Sequence, residues 1–314
     1  MKKYLITGVG GFVGRYFWEY LTAHENDFCV CGLDIAPDAP WQDERFSYSQ
    51  VNLLEAAALR EIIVSFAPDY IVHLASLSSV GQSWKVPAGC FSNNTGIFLA
   101  LAEAVRAECP AARILSVGSS EEYGNYPLEA MPLREEYALK PGNPYAVARV
   151  AQEMLSKLYA EGYGLNVMMT RSFNHIGPRQ RDVFVVPSFV KQLVQIKKSG
   201  GKGTMRVGNI EVVRDFLDVR DVIDAYYRIL TRGVPGEVYN VCSGQGIKLR
   251  TLIETVAKIL EIEPAIEVDP ALVRPTENMC IIGSCEKLKA ELGWAQAFSF
   301  EKTLNDMIEF WEKN

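Results

Sequence analysis

Histidine is scarce in this chain of 314 residues: His24, His73 and His175 are the three, and none pairs at metal-ligand spacing. No metal is expected. The seven cysteines, Cys29, Cys31, Cys90, Cys109, Cys242, Cys280 and Cys285, are odd in number and lack CxxC spacing, so they read as buried free thiols rather than a disulfide framework. No stretch approaches the roughly 18 uninterrupted apolar residues of a membrane span, so no membrane partner is expected. Lys2 and Lys3 before an apolar run could open a secretory leader, but glycines break that run and a strand fits better, which predicts a cytoplasmic protein. A basic excess is missing as well. With a formal charge of -6 the chain offers no surface for nucleic acid, and any phosphate must be met by a few placed arginines.

What is present is length and alternation. A chain of 314 residues exceeds the usual size of one domain, which predicts two lobes. Strand-like runs at 3–7, 28–33, 69–74, 112–118 and 165–171 alternate with helical patterns, so the fold class is α/β with a Rossmann-type parallel sheet covered on both faces. After Arg171 the pattern loosens, with prolines at 178, 187, 235, 264, 270 and 275, as suits a smaller, discontinuous lobe. Residues near 214–241 read as a helix and strand returning to the large sheet. The expected division is 1–173 plus about 212–242 for the dinucleotide domain, and 174–211 plus about 243–314 for the substrate lobe.

The first strand runs into Thr7-Gly8-Val9-Gly10-Gly11-Phe12-Val13-Gly14 and then into a helix. Glycines 8, 11 and 14 permit a tight turn, close approach of backbone to a pyrophosphate, and packing of helix on strand. The helix start then attracts the anion. The second strand ends in Asp34, about twenty residues beyond Gly14, where a carboxylate accepts the ribose hydroxyls of NAD and repels a 2′-phosphate. NAD(H) is therefore favoured, and the absence of an arginine directly after Asp34 weakens NADP(H), which stays possible. Asn52 and Leu53 mark a further loop at the sheet's rim, where an amide meets adenine or simply lies in a polar loop.

The run 112–118 delivers Ser119, Ser120 and Glu121 to the carboxyl edge of the sheet, where open α/β sheets bind ligands. Downstream, Asn143 and Pro144 start a helix that carries Tyr145 and Arg149 on one face. A cation four residues along favours a phenolate, so Tyr145 can give a proton to a carbonyl oxygen that Ser119 also holds. The same pair elsewhere is a solvated helical ion contact; the upstream glycine loop weighs towards chemistry.

These motifs resemble the extended short-chain dehydrogenase/reductase family, with its TGxxGFxG, strand-end Ser/Thr and YxxxK helix. Its nucleotide-sugar branch, related to GDP-mannose 4,6-dehydratase, is matched by His73-Leu74-Ala75-Ser76 with Ser78, by Arg171-Ser172-Phe173-Asn174-His175-Ile176-Gly177-Pro178, by Arg214 through Val219, and by Tyr239 through Gly244. The resemblance implies that Leu74, Ala75 and Ser76 line the cofactor, with Tyr145 and Arg149 beside it, and that Asn93 supports the site. Ser78, Ser120 and Asn174 would meet the sugar. Val186 and Lys191 would lie along guanine and ribose, Arg214 and Arg274 on the pyrophosphate, and Glu277 on ribose hydroxyls. Arg149 departs from the family's lysine: it keeps the charge but cannot lose a proton, which predicts a slowed or differently tuned enzyme. The implied activity is NAD(P)H-dependent reduction of the C4 ketone of a GDP-4-keto-6-deoxyhexose. The alternatives are a 4,6-dehydratase using Glu121, a C4 dehydrogenase or epimerase acting on a GDP-hexose or GDP-heptose with tightly held NAD, and a binding protein without turnover. Helices near 93–107 and 145–161 carry Ile97, Leu101, Val150 and Leu158, which predicts a homodimer through these faces unless they are core.

Overall fold

The computed structural model describes residues 1–273 and 278–314. Its strands are β1 (Lys2–Thr7), β2 (Phe28–Asp34), β3 (Phe46–Gln50), β4 (Tyr70–His73), β5 (Arg113–Ser119), β6 (Asn166–Ser172), β7 (Asn174–Ile176), β8 (Thr204–Val207), β9 (Val213–Asp218), β10 (Val238–Val241), β11 (Gly246–Lys248), β12 (Ala265–Val268) and β13 (Cys280–Ile281). The helices are α1 (Phe12–His24), α2 (Ala56–Phe66), α3 (Val80–Lys85), α4 (Pro87–Glu108), α5 (Pro144–Tyr163), α6 (Val185–Lys198), α7 (Val219–Arg232), α8 (Leu249–Leu260), α9 (Glu286–Leu292) and α10 (Phe300–Lys313).

Seven parallel strands in the order β10-β6-β5-β4-β1-β2-β3 form the large sheet. Connections leave β1 towards one edge and β4 towards the other, so the carboxyl ends of β1 and β4 flank the switch point where such sheets take ligands. One face is covered by α1 and α7 through Phe17, Leu21, Val222 and Tyr226. The other is covered by α2, α4 and α5 through Leu59, Ile63, Phe98, Leu101 and Tyr159. The central stretches of these strands, such as Tyr4-Leu5-Ile6, Ile71-Val72, Ile114-Leu115 and Val167-Met168-Met169, are apolar and buried, as two-sided burial requires.

The second lobe packs α6, α8 and α10 around β8 and β9, with Val190, Leu252, Val256 and Met307 at its centre. Here the structure refines the sequence reading of 214–241. Helix α7 and strand β10 do return to the large sheet, but β9 pairs with β7, β11 and β13 in a small sheet of its own. Cys285, Leu288, Leu292 and Trp294 then pack on the large-sheet core, so the chain crosses between lobes again after 283.

Helix starts follow local chemistry. Asn143 caps α5 by accepting from the Ala146 N–H at 2.8 Å, with Pro144 in the first turn, and Gly164 ends the helix in the left-handed region at φ +72°. Helix α4 corrects the expectation about outward faces. Ile97 and Leu101 are buried against the large sheet, while Phe91 and Leu99 stand out beside Val147, Met154 and Leu158 of α5. The reason is that apolar and polar residues are mixed around α4, so its periodicity does not say which face meets the sheet. All seven cysteines are free thiols, four of them buried. Among the described residues no helix is long and apolar enough to cross a membrane.

Candidate active site

At the switch point the chain approaches itself backbone to backbone. Gly8 sits at φ +67°, and a Cβ there would lie 2.9 Å from both the N and Cα of Ala75, so the loops after β1 and β4 meet only because residue 8 has no side chain. A Cβ on Gly14 would press into the Val9 carbonyl oxygen, which fixes α1 against the turn. Gly11 precedes α1 and supplies no side-chain cap, so the start of α1 is open to an anion at the N–H groups of Phe12 and Val13. Asp34 is aimed by backbone: its Oδ2 accepts from Gly10 N at 2.9 Å and its Oδ1 from Ile35 N at 2.8 Å. Thr7 ties the partner loop, its carbonyl accepting from Leu74 N at 3.2 Å and its Oγ1 from Ala75 N at 3.2 Å. Ser76 Oγ is buried without a partner. An uncapped helix start, a side-chain-free cradle, an oriented carboxylate and an orphaned hydroxyl all suit a bound dinucleotide. Asn52 is exposed and its Oδ1 accepts from Leu54 N at 3.1 Å, stabilising its own turn, while Leu53 is buried in the core beneath.

The end of β5 holds the second cluster. Ser119 Oγ accepts from Glu121 N at 3.2 Å, and Ser119 N donates to Glu122 Oε1 at 2.6 Å, a reciprocal cap in the Ser-x-x-Glu pattern. Glu122 is fully buried; loss of solvent, then the neighbouring Glu153, raises its carboxyl pKa well above the ordinary value. Arg171 grips Glu153 with two bonds of 2.8 and 2.7 Å. Glu122 escaped notice beside Glu121, although the Ser119-to-Glu122 spacing was a signal for it.

Tyr145 and Arg149 are not a solvated pair. They are 7% and 4% exposed, and Arg149 Nε donates to Tyr145 Oη at 3.1 Å. Arg149 Nη1 donates to the Val117 carbonyl at 2.8 Å and to Gln152 Oε1 at 2.7 Å, anchoring the pair to β5 two residues before Ser119. Glu121 is joined to the same helix, its Oε2 accepting from Asn143 Nδ2 at 2.8 Å. Ser120 is buried and Ser78 is exposed. The loop carrying Ser78 is braced by Asn94 rather than Asn93: Asn94 Oδ1 accepts from Leu77 N at 2.8 Å and its Nδ2 donates to Leu77 O at 3.2 Å. Adjacent asparagines on a helix point to different sides, and the sequence does not say which points inward.

The substrate side is more dispersed. Asn174 is exposed and its Nδ2 donates to the Asp215 carbonyl at 3.4 Å. Val186 lies in the core of the second lobe at 1% exposure, so its side chain offers no surface to a ligand. Lys191 donates to Asp182 Oδ2 at 2.6 Å and lies over the Trp311 ring. Arg214 is buried on β9, its Nη1 donating to the Val213 carbonyl at 2.9 Å. Arg274 and Glu277 lie outside the described residues. The aspartates brace: Asp215 accepts from Ser243 N, Gly244 N and Gly283 N, Asp218 caps α7, and Asp221 accepts from Ala297 N and Phe298 N.

Residues 5–307 match the model of the GDP-mannose 4,6 dehydratase family. The chain belongs to that family. It is thus an NAD(P)-dependent nucleotide-sugar enzyme of the extended short-chain dehydrogenase/reductase class. Among its relatives, GDP-6-deoxy-D-mannose reductase of Pseudomonas aeruginosa is 35% identical over 99% of this chain and 97% of its own. The dTDP-glucose 4,6-dehydratase of Escherichia coli is 27% identical over 99% of this chain and 94% of its own. The solved structure of RMD from Pseudomonas aeruginosa complexed with NADPH superposes with a TM-score of 0.87 at 34% identity, covering 100% of this chain and 99% of that one.

Proposed function

We propose that this member of the GDP-mannose 4,6 dehydratase family reduces the C4 ketone of a GDP-4-keto-6-deoxyhexose, giving GDP-6-deoxy-D-mannose (GDP-rhamnose), with NADH as preferred reductant. The observation that carries the reading is the buried Tyr145–Arg149 pair fastened to β5 beside Ser119. Support also comes from the 35% identical reductase. A bound reduced nicotinamide supplies hydride to the carbonyl carbon. Tyr145 Oη gives its proton to the carbonyl oxygen, Ser119 Oγ donates a hydrogen bond to the same atom, and Arg149 stabilises the phenolate left behind. Arg149 has no proton to give at neutral pH, so Tyr145 is reprotonated from solvent. The dinucleotide would be held by Gly8 and Gly10 through Gly14, with Asp34 on its ribose hydroxyls and Leu74, Ala75 and Ser76 along the opposite loop. Ile35 and Ala36 follow Asp34, so no guanidinium meets a 2′-phosphate.

The dehydratase reading rests on Glu121. Its carboxylate is engaged with Asn143 at the start of α5, which favours a bracing role over removal of a sugar proton. The deciding assay incubates the protein with GDP-4-keto-6-deoxy-mannose and either NADH or NADPH. Nucleotide oxidation with formation of a GDP-deoxyhexose, faster with NADH, is expected, and Tyr145→Phe should abolish it while still binding cofactor. No nucleotide oxidation with the keto sugar, together with formation of a 4-keto-6-deoxy sugar from GDP-mannose, would assign the protein to the dehydratases. We further propose a cytoplasmic homodimer joined through Phe91, Leu99, Val147, Met154 and Leu158, the exposed apolar stripe of α4 and α5. A monomer in light scattering, or oxidised cysteines in protein isolated from cells, would contradict it.

A further inference from the structure

Arg149 is held from behind by groups that the reaction itself does not require. Its Nη1 is shared between the Val117 carbonyl and Gln152 Oε1, and its Nε is left to point at Tyr145. Gln152 is 1% exposed, one turn further along α5 from Arg149. Its amide can face only one way. The Nε2 donates to Ser116 Oγ at 2.9 Å and to the Val117 carbonyl at 3.3 Å, so Oε1 meets the guanidinium; a flipped amide would set donor against donor and carbonyl against carbonyl. Ser116 is fixed in turn by Ser156 Oγ at 2.8 Å, one turn beyond Gln152. The result is a buried polar network between β5 and α5 that ends on the Tyr145 hydroxyl.

A lysine carries one point charge and reaches its partner from many rotamers. A guanidinium has direction, and its Nε meets a phenol only when the plane is held. We propose that Gln152, backed by Ser116, is a positioning residue: it locks the Arg149 guanidinium so that Nε stays on Tyr145 Oη, and so makes an arginine serviceable where the family keeps a lysine. This rests on the reading of Tyr145 as proton donor.

The surroundings leave Arg149 as the charge that matters. Of the groups that feel its field, His73 on β4 is driven down to about 3 by burial and then by Arg149, while burial raises Cys90 on α4 and takes Tyr226 on α7 to about 12. All three are neutral near pH 7. Glu121, after β5, is held by Asn143.

The test uses the intact protein and does not need the sugar. Tyr145 ionisation is followed by ultraviolet difference absorbance, taking each protein minus its Tyr145→Phe counterpart. Gln152→Leu is expected to raise the Tyr145 midpoint by about one unit, because the phenolate loses a fixed donor. In an Arg149→Met background the same change should do nothing further, since the effect passes through the guanidinium. Gln152→Met, closer in shape, and Ser116→Ala serve should the leucine variant fail to fold; a midpoint raised in either supports the proposal. With keto-sugar present, kcat at fixed pH should fall about tenfold with KM unchanged. An unmoved Tyr145 midpoint in every folded variant, or an equal shift without Arg149, would overturn the proposal. Absent turnover in the parent protein together with a responsive midpoint would instead remove the proposed reaction and leave the positioning role standing.

Discussion

The two sides of the cleft are built from different materials. On the dinucleotide side, at the ends of β1 and β4, the decisive groups are backbone: the Gly8–Ala75 approach, the uncapped start of α1, and an Asp34 carboxylate aimed by Gly10 and Ile35 amides. On the side proposed for the sugar nucleotide the candidates are side chains borrowed from distant segments, with Asn174, Lys191 and Arg214 arriving from β7, α6 and β9. A backbone cradle tolerates no added atoms but is indifferent to charge. A side-chain site tolerates changes of shape and depends on charge. Mutations should therefore fail differently on the two sides.

The largest effect is expected from the smallest addition. Gly14→Ala drives a methyl into the Val9 carbonyl, which belongs to the turn and cannot rotate away. Overpacking of this kind costs about 1 to 3 kcal/mol, so NADH affinity by fluorescence titration should drop by up to about 100-fold. Unaltered NADH affinity in a folded Gly14→Ala protein would show that the cradle is not where the cofactor sits. The complementary change on the other side is Arg214→Met, which keeps length and removes charge. A hydrogen bond to a charged group is worth about 1.5 to 3 kcal/mol, so KM for the GDP-sugar should rise by tenfold or more while NADH affinity holds. A rise in both, or in neither, would place Arg214 in the scaffold rather than at a phosphate.

The same difference explains what was legible in the sequence. Gly8, Gly11, Gly14 and Asp34 act through local spacing within one β-α-β unit, so a linear pattern announced them. The strand runs, the cap at Asn143 and the Tyr145–Arg149 face were readable for the same reason, being periodic or short-range. What escaped depends on tertiary choice. Val186 looked like a ligand contact and lies in a core, because a helix with several apolar residues does not say which of them the lobe will cover. Residues 212–242 looked like part of the large-sheet domain, yet β9 pairs elsewhere, since its partners lie far along the chain, as do the Ser243 and Gly283 backbone amides that donate to Asp215. Gln152 carried no signal at all; a glutamine in a helix is ordinary until its neighbours across the sheet are known.

The mildest prediction concerns two histidines, His73, buried under the dinucleotide loops, and His175, half-buried and stacked on Phe12. Burial lowers the pKa of both, and His73 falls to about 3. An unfolded histidine takes up a proton below roughly pH 6.5, whereas folded His73 does not until near 3. Between those values the unfolded chain binds more protons, so stability must fall as pH drops through that window and level off beneath it. His73→Asn retains an amide nitrogen able to donate to Thr7 Oγ1, now 3.0 Å from the imidazole Nδ1, but has nothing to titrate. The variant should be the less stable protein at neutral pH, from lost packing on Phe98. Its deficit should then shrink by about 1 kcal/mol between pH 7 and pH 5.5, read from urea midpoints, because the parent alone bears the cost of keeping this imidazole neutral. A deficit that stays constant with pH would mean that His73 takes up its proton at the same pH folded and unfolded, so that neither burial nor the Arg149 charge lowers it.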